Sequence, residues 1–225
     1  MNWPNQSTWS AGRHEATIRT ERGDIFTWVV ACGTLHVPSG RLVACDPFAF
    51  MRKGDNPHVI VPTGIFPVTV TLADVSDELD RSHIREAYAS IYFRDTPEVY
   101  RRVLPIARQG EERPTLNDGE FIGFPVDAGT ACFVDDAVIA SAMPDERTWY
   151  SDLFENQRPD CWFNRMDDPA HIRAGIASIT LPLAKNGENL ILFHSGWGDG
   201  HYPVVGSFDP ESQLTAVHID FGVIP

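Results

Sequence analysis

Six aspartates stand within two residues of glycine, proline or a second aspartate at the ends of apolar runs: Asp46 in ACDPF, Asp127 in VDAGT, Asp135 and Asp136 in FVDDA, Asp199 in GWGDG and Asp220 in HIDFG. Carboxylates on loops at one end of a sheet can meet in a cleft and there bind a divalent cation or move protons. Asp46, Asp127 and Asp199 are the candidate metal ligands. Asp127 and Asp199 are also the candidate acid–base pair, with Thr130, Ser195 and His201 in the same two blocks as assisting groups. The bland reading of each block is a turn, because aspartate beside glycine readily bonds its own backbone. A site therefore requires that these side chains converge.

The other familiar chemistries lack their residues. There is no Gly-x-Ser-x-Gly elbow, no Gly-x-x-x-x-Gly-Lys phosphate loop and no His-Glu-x-x-His pair. GWGDG has a glycine rhythm but no following helix N-terminus to hold a phosphate. His194 and His201 are seven residues apart across a glycine turn, which is not a usual zinc spacing. Ser195 becomes a nucleophile only if a base approaches it. Cys32, Cys45, Cys132 and Cys161 are widely separated without Cys-x-x-Cys spacing, which predicts reduced, buried thiols. None of these patterns requires a cofactor, and a divalent metal is the one addition that the aspartates admit.

Charge narrows the partners. With 18 Lys and Arg against 31 Asp and Glu, the chain carries a formal charge of -13. Such a surface repels nucleic acid and anionic lipid and favours a basic protein or a cationic small molecule. The opening residues show no secretory signal pattern, and no run is apolar for long enough to span a bilayer, so the expectation is a soluble, cytoplasmic protein.

The elements that must position the aspartates are mostly strands. DIFTWVVACGTLHVPSGRLVACDPF predicts a hairpin about the VPSG turn, and HVIVPTGIFPVTVTLADV predicts strands about Pro62-Thr63-Gly64. In the second of these, Val68, Val70 and Leu72 alternate with threonines, which gives one buried face. EAYASIYFRD adds a further strand. FIGFPVDAGTACFVDDAVIASAM reads as two strands around the Asp-Ala-Gly-Thr turn, and the chain from Asn189 onward as three strands. Helices are expected at DTPEVYRRVLPIARQG, where Thr96 could cap and Pro97 suits a first turn, and at DERTWYSDLFENQ, with a helical turn before the strand of DDPAHIRAGIASITLPL. The expected architecture is α+β: one mainly antiparallel β domain over residues 1–225, sandwich or barrel-like, with two or three short helices and residues 1–30 less firmly tied to its core.

Four blocks, GTLHVPSGRLVACDP, VPTGIFPVTV, VDAGTACFVDD and SGWGDGHYPVVGSFDPESQLTAVHIDFGV, resemble in this order the bacterial family called domain of unknown function 4241. The resemblance runs from about Gly33 onward and marks Ser39, Asp46, Gly64, Asp127, Gly129, Thr130, Asp135, Ser195 to Gly200, Tyr202, Asp209, Asp220 and Phe221. It departs after Asp209, where PESQ stands in place of a glycine turn. The family implies a single domain and no activity. Two functions remain: an acidic protein-binding module of immunity or accessory type, and a carboxylate-based hydrolase, with or without a metal, using Asp127 and Asp199.

Overall fold

The computed structural model describes residues 9–12, 14–117 and 119–225. Among these residues fourteen strands form three antiparallel sheets. The largest contains β1 (Glu15–Thr20), β2 (Gly23–Val37), β5 (Gly64–Asp74), β6 (Ile84–Tyr92), β14 (Leu214–Asp220), β13 (Val204–Phe208) and β7 (Tyr100–Val103), in that spatial order. It curls into a half-barrel. The second runs β10 (Ile176–Thr180), β11 (Asn189–His194), β9 (Thr130–Asp135), β3 (Arg41–Cys45) and β4 (Val59–Ile60). The third pairs β12 (Gly200–Tyr202) with β8 (Phe124–Val126). The α+β, mainly antiparallel expectation holds: a curled seven-stranded sheet shares an apolar core with the five-stranded one.

Alternation along the strands explains the layers. Val68, Val70 and Leu72 on β5 and Ala89 and Ile91 on β6 face Phe133, Ile191 and Phe193 of the second sheet, all within one apolar core. The opposite parity on the second sheet, Val43, Cys132, Val134, Leu190 and Leu192, forms another core with Ile139, Phe154, Trp162 and Met166 from the helical segments. A strand buried on both faces reads as a continuous apolar run, which is what TACFV and NLILF show.

Four local expectations fail for identifiable reasons. The VPSG turn does not make a hairpin: β2 pairs with β5, and β3 pairs with β9 and β4. Both the Ser39 N–H and hydroxyl donate to Asp135 Oδ2, at 2.9 and 2.8 Å, which pulls the turn toward the second sheet. Gly40, at φ 71°, lies so close to Val61 that a Cβ would stand 2.7 Å from its carbonyl oxygen. The helix expected in 95–110 is instead the edge strand β7, paired with β13. There Tyr100 stacks on Phe208 at 4.9 Å and the Arg102 guanidinium lies 4.7 Å from the Phe208 centroid, cross-strand contacts that outweigh a local capping signal. Finally, the end of the apolar run at FVDDAVIASAM is the helix α1 (Asp136–Ala142), begun by Asp135, whose Oδ1 accepts from Ala137 N and Val138 N. DERTWYSDLFENQ is helical, as a 3-10 turn at Glu146–Thr148 running into a wider turn at Tyr150–Phe154, and a short helix α2 (Trp162–Asp167) follows. The closing segment holds four strands rather than three, because Pro203 separates β12 from β13.

On the half-barrel's other face His218 is buried between two serines. Its Nδ1 lies 2.8 Å from Ser90 Oγ and its Nε2 2.9 Å from Ser207 Oγ, which also contacts Glu98 Oε2 at 2.5 Å. The Ser207 hydroxyl has one proton to give and Glu98 takes it, so His218 Nε2–H donates to Ser207 and Nδ1 accepts from Ser90. Burial, reinforced by the Arg101 charge, pushes the imidazole down to about 3. The folded value lies below the unfolded one, so this ring's contribution to stability is complete above the unfolded pKa and is lost as pH falls toward 3. The His218 ring resonances are expected to stay fixed in an NMR titration from pH 8 to pH 5; a full titration step near pH 6.5 would contradict the buried neutral ring.

Candidate functional site

Where β3 ends, Asp46 turns the chain. Its side chain is fully buried. Oδ1 accepts from Phe48 N (2.9 Å) and Ala49 N (3.3 Å), and Oδ2 from Asp127 N (3.0 Å) and Ala128 N (2.7 Å). Four backbone donors fill the acceptor capacity of one carboxylate. The oxygens proposed as metal ligands at Asp46 thus join the exit of β3 to the VDAGT turn.

That turn meets GWGDG as well. The Asp199 Oδ1 accepts from Gly129 N at 3.1 Å, and Ser195 N donates to Gly129 O at 3.1 Å. Within GWGDG the hydroxyls of Ser195 (2.8 Å) and Tyr202 (2.7 Å) both donate to the Gly198 carbonyl. Gly196, at φ 62°, leaves no room for a side chain, since a Cβ would stand 2.8 Å from that of Phe221. Thr130 is buried, faces His194 across the β9–β11 ladder and donates to Ala128 O. His201 is exposed opposite Pro125 on β12.

The structure therefore brings Asp46, Asp127, Thr130, Ser195 and Asp199 together. The carboxylates of Asp46 and Asp199 and the Ser195 hydroxyl bond to backbone groups. The Asp127 side chain projects into solvent. Among the described residues no group of three His, Cys, Asp or Glu side chains is placed to hold a metal ion.

Two neighbouring features escape the sequence reading. The first is a crevice of about 410 Å³ between the β1–β2 turn and residues 75–77, lined by Arg22, Asp24, Asp77, Trp197 and Val223. The Trp197 indole is 54% exposed, with His83 edge-on at 5.8 Å and the Arg85 guanidinium 5.4 Å from the ring centre.

The second is Glu86. In the β5–β6 ladder Leu72 pairs with Glu86 but Thr71 pairs with Tyr88, so Ala87 is a bulge. The extra residue shifts the alternation and places Glu86 opposite core-facing Leu72, at the margin of the apolar core. Its side chain is 7% exposed, and Arg173 Nη1 lies 3.9 Å away. Burial, offset in part by its own backbone N–H and by Arg173 and Arg85, pushes this carboxyl up to about 7. His194 shares the spot: a Cβ on Gly175 would lie 2.7 Å from His194 Nδ1 and 3.2 Å from Glu86 Oε1. Loss of water lowers the His194 pKa, Asp167 opposes that shift, and Arg173 and Arg85 add to it. The one sequence signal was a lone acid in the apolar run EAYASIYF; the bulge that turns it inward depends on strand pairing and leaves no local mark.

A family model described as "Protein of unknown function (DUF4241)" matches residues 35–219. The chain belongs to that family. No curated protein and no solved structure matches it. The DUF4241 region takes in Asp46, both turns, Glu86 and Trp197, so every feature above except part of the crevice wall lies within it.

In this DUF4241 chain Asp46→Ala strands four buried or part-buried N–H groups. It is expected to cost about 3 kcal/mol or more in chemical denaturation, whereas Asp127→Ala, at an exposed carboxylate, should stay within about 0.5 kcal/mol. Equal effects of the two substitutions would contradict the structural role of Asp46.

Proposed function

We propose that this protein is a binding module of immunity or accessory type, and that it engages a basic protein partner through the end of the molecule around Trp197. The observation that carries the reading is the half-exposed indole set in a crevice beside Asp24 and Asp77. A large aromatic that folding leaves in water is the usual anchor of an interface, and adjacent carboxylates suit the guanidinium or ammonium groups that stack on such a ring. Glu78 and Asp80, exposed on the same loop as Asp77, extend the acidic rim. The overall charge of -13 adds long-range attraction for a basic surface. No helix among the described residues is long and apolar enough to cross a membrane.

The alternative, a carboxylate-based hydrolase with or without a metal, draws on the meeting of the VDAGT and GWGDG turns. It is the weaker reading because Asp46 and Asp199 turn oxygens to backbone N–H groups and the Ser195 hydroxyl donates to a carbonyl, with no base bonded to it.

Titration with a hexa-arginine peptide tests the binding reading. Affinity is expected to fall steeply with added salt, to drop about tenfold in Trp197→Ala and to weaken several-fold in Asp24→Asn combined with Asp77→Asn. A peptide that binds the Trp197→Ala protein as tightly as the parent would remove this surface from consideration.

A further inference from the structure

Beside the proposed interface, on an otherwise acidic protein, two arginines gather about one buried carboxyl. The turn Arg173–Ile176 is closed by Ile176 N donating to Arg173 O at 3.0 Å and needs Gly175 at φ 90°. Gly175 N donates to Met166 O and His194 N donates to Gly175 O, so the turn locks the end of α2 to the end of β11. This lays Arg173 alongside Glu86.

The hydrogen bonding there is incomplete. Arg173 Nη1 and Arg85 Nε are buried and, among the described residues, have no hydrogen-bond acceptor. The Glu86 oxygen nearest Arg173, at 3.9 Å, is beyond hydrogen-bond reach. Buried N–H donors in folded proteins nearly always have acceptors, so these two call for one that no described residue supplies. The cluster also opens to water, since the Arg173 side chain is 30% exposed and His194 is exposed.

We propose that Arg173, Arg85, Glu86 and His194 form a binding site for a small monocarboxylate, taken up together with one proton on Glu86. The charge balance selects a monoanion, and guanidinium N–H groups beside a carboxyl O–H suit a carboxylate among them. The charged and titratable groups facing Glu86 and His194 are Arg85 on β6, Arg173 in the turn before β10, and Asp167 on α2. With Glu86 ionised and His194 neutral the set sums to zero; with Glu86 protonated it carries one positive charge, which a monoanion balances. A protonated Glu86 then offers an O–H to the bound carboxylate, while Arg173 Nη1 and Arg85 Nε gain acceptors.

Acetate is the probe, titrated at constant ionic strength against chloride and followed by NMR of the arginine Nε–H and His194 ring signals. A saturable acetate shift that chloride does not produce is expected. Binding should be about tenfold tighter at pH 6 than at pH 8, because Glu86 titrates near 7. Arg173→Gln should abolish it, and Glu86→Gln, which is neutral at every pH and keeps a donor, should retain binding while losing the pH dependence. Unchanged melting of both variants in the absence of acetate serves as the check on folding, and Arg173→Lys substitutes for either one that melts early, with weakened binding expected. No saturable shift at either pH, binding indifferent to Arg173, or a pH dependence that survives Glu86→Gln would each overturn the proposal. None of these outcomes depends on whether hexa-arginine binds at Trp197.

Discussion

The β3–β9 ladder is held at both ends by a buried aspartate, and most of the molecule hangs from that arrangement. At one end Asp46 leaves β3 and binds the turn that feeds β9; at the other Asp135 leaves β9 and binds the turn that feeds β3. Each carboxylate receives four donors, so the cost of burying its charge is offset locally by charge-assisted bonds. Asp135 does a second task by starting α1, which seals the outer core. Asp46 likewise fixes the VDAGT turn, on which GWGDG rests through Gly129. Because both strands lie in the middle of the second sheet, these joints set where the curled sheet and the helices meet it.

From that frame follows the division of labour among the acids. Those the chain buries at turns serve the backbone. Those left exposed, such as Asp24 at the start of β2 and Asp77 on the loop after β5, give the molecule its field and the crevice its rim. Glu86 belongs to neither group: among the described residues no donor from another residue is close enough to bond it, and Arg173 Nη1 and Arg85 Nε beside it have no acceptor. A half-exposed tryptophan stands between the acidic crevice, which it lines, and this cluster, with the Arg85 guanidinium 5.4 Å from its ring centre.

Much of this was legible where the signal was local. The alternation of Val68, Val70 and Leu72 announced the buried face of β5, and aspartates beside glycine announced turns. Even the meeting of VDAGT with GWGDG was anticipated as a possibility, although the atoms that meet are a carboxylate and an amide rather than two catalytic groups. What failed depended on distant partners. Thr96, Pro97 and Glu98 resemble a helix start, yet β13 offers Tyr100 and Arg102 an aromatic partner more than a hundred residues away. The Pro38–Gly40 turn looks like a hairpin until Asp135 captures Ser39. Glu86 would point away from the core under strict alternation, and only the Ala87 bulge reverses it.

The central claim is that the carboxylate of Asp46 serves the backbone. Hydrogen exchange of the Asp127 and Ala128 amides tests it most directly, because both residues are solvent-exposed and their N–H groups are shielded by little except that carboxylate. The structure predicts that the two amides exchange at least about a hundredfold more slowly than unstructured peptide amides. Exchange at the unprotected rate would mean that the Asp46 oxygens are free for other chemistry.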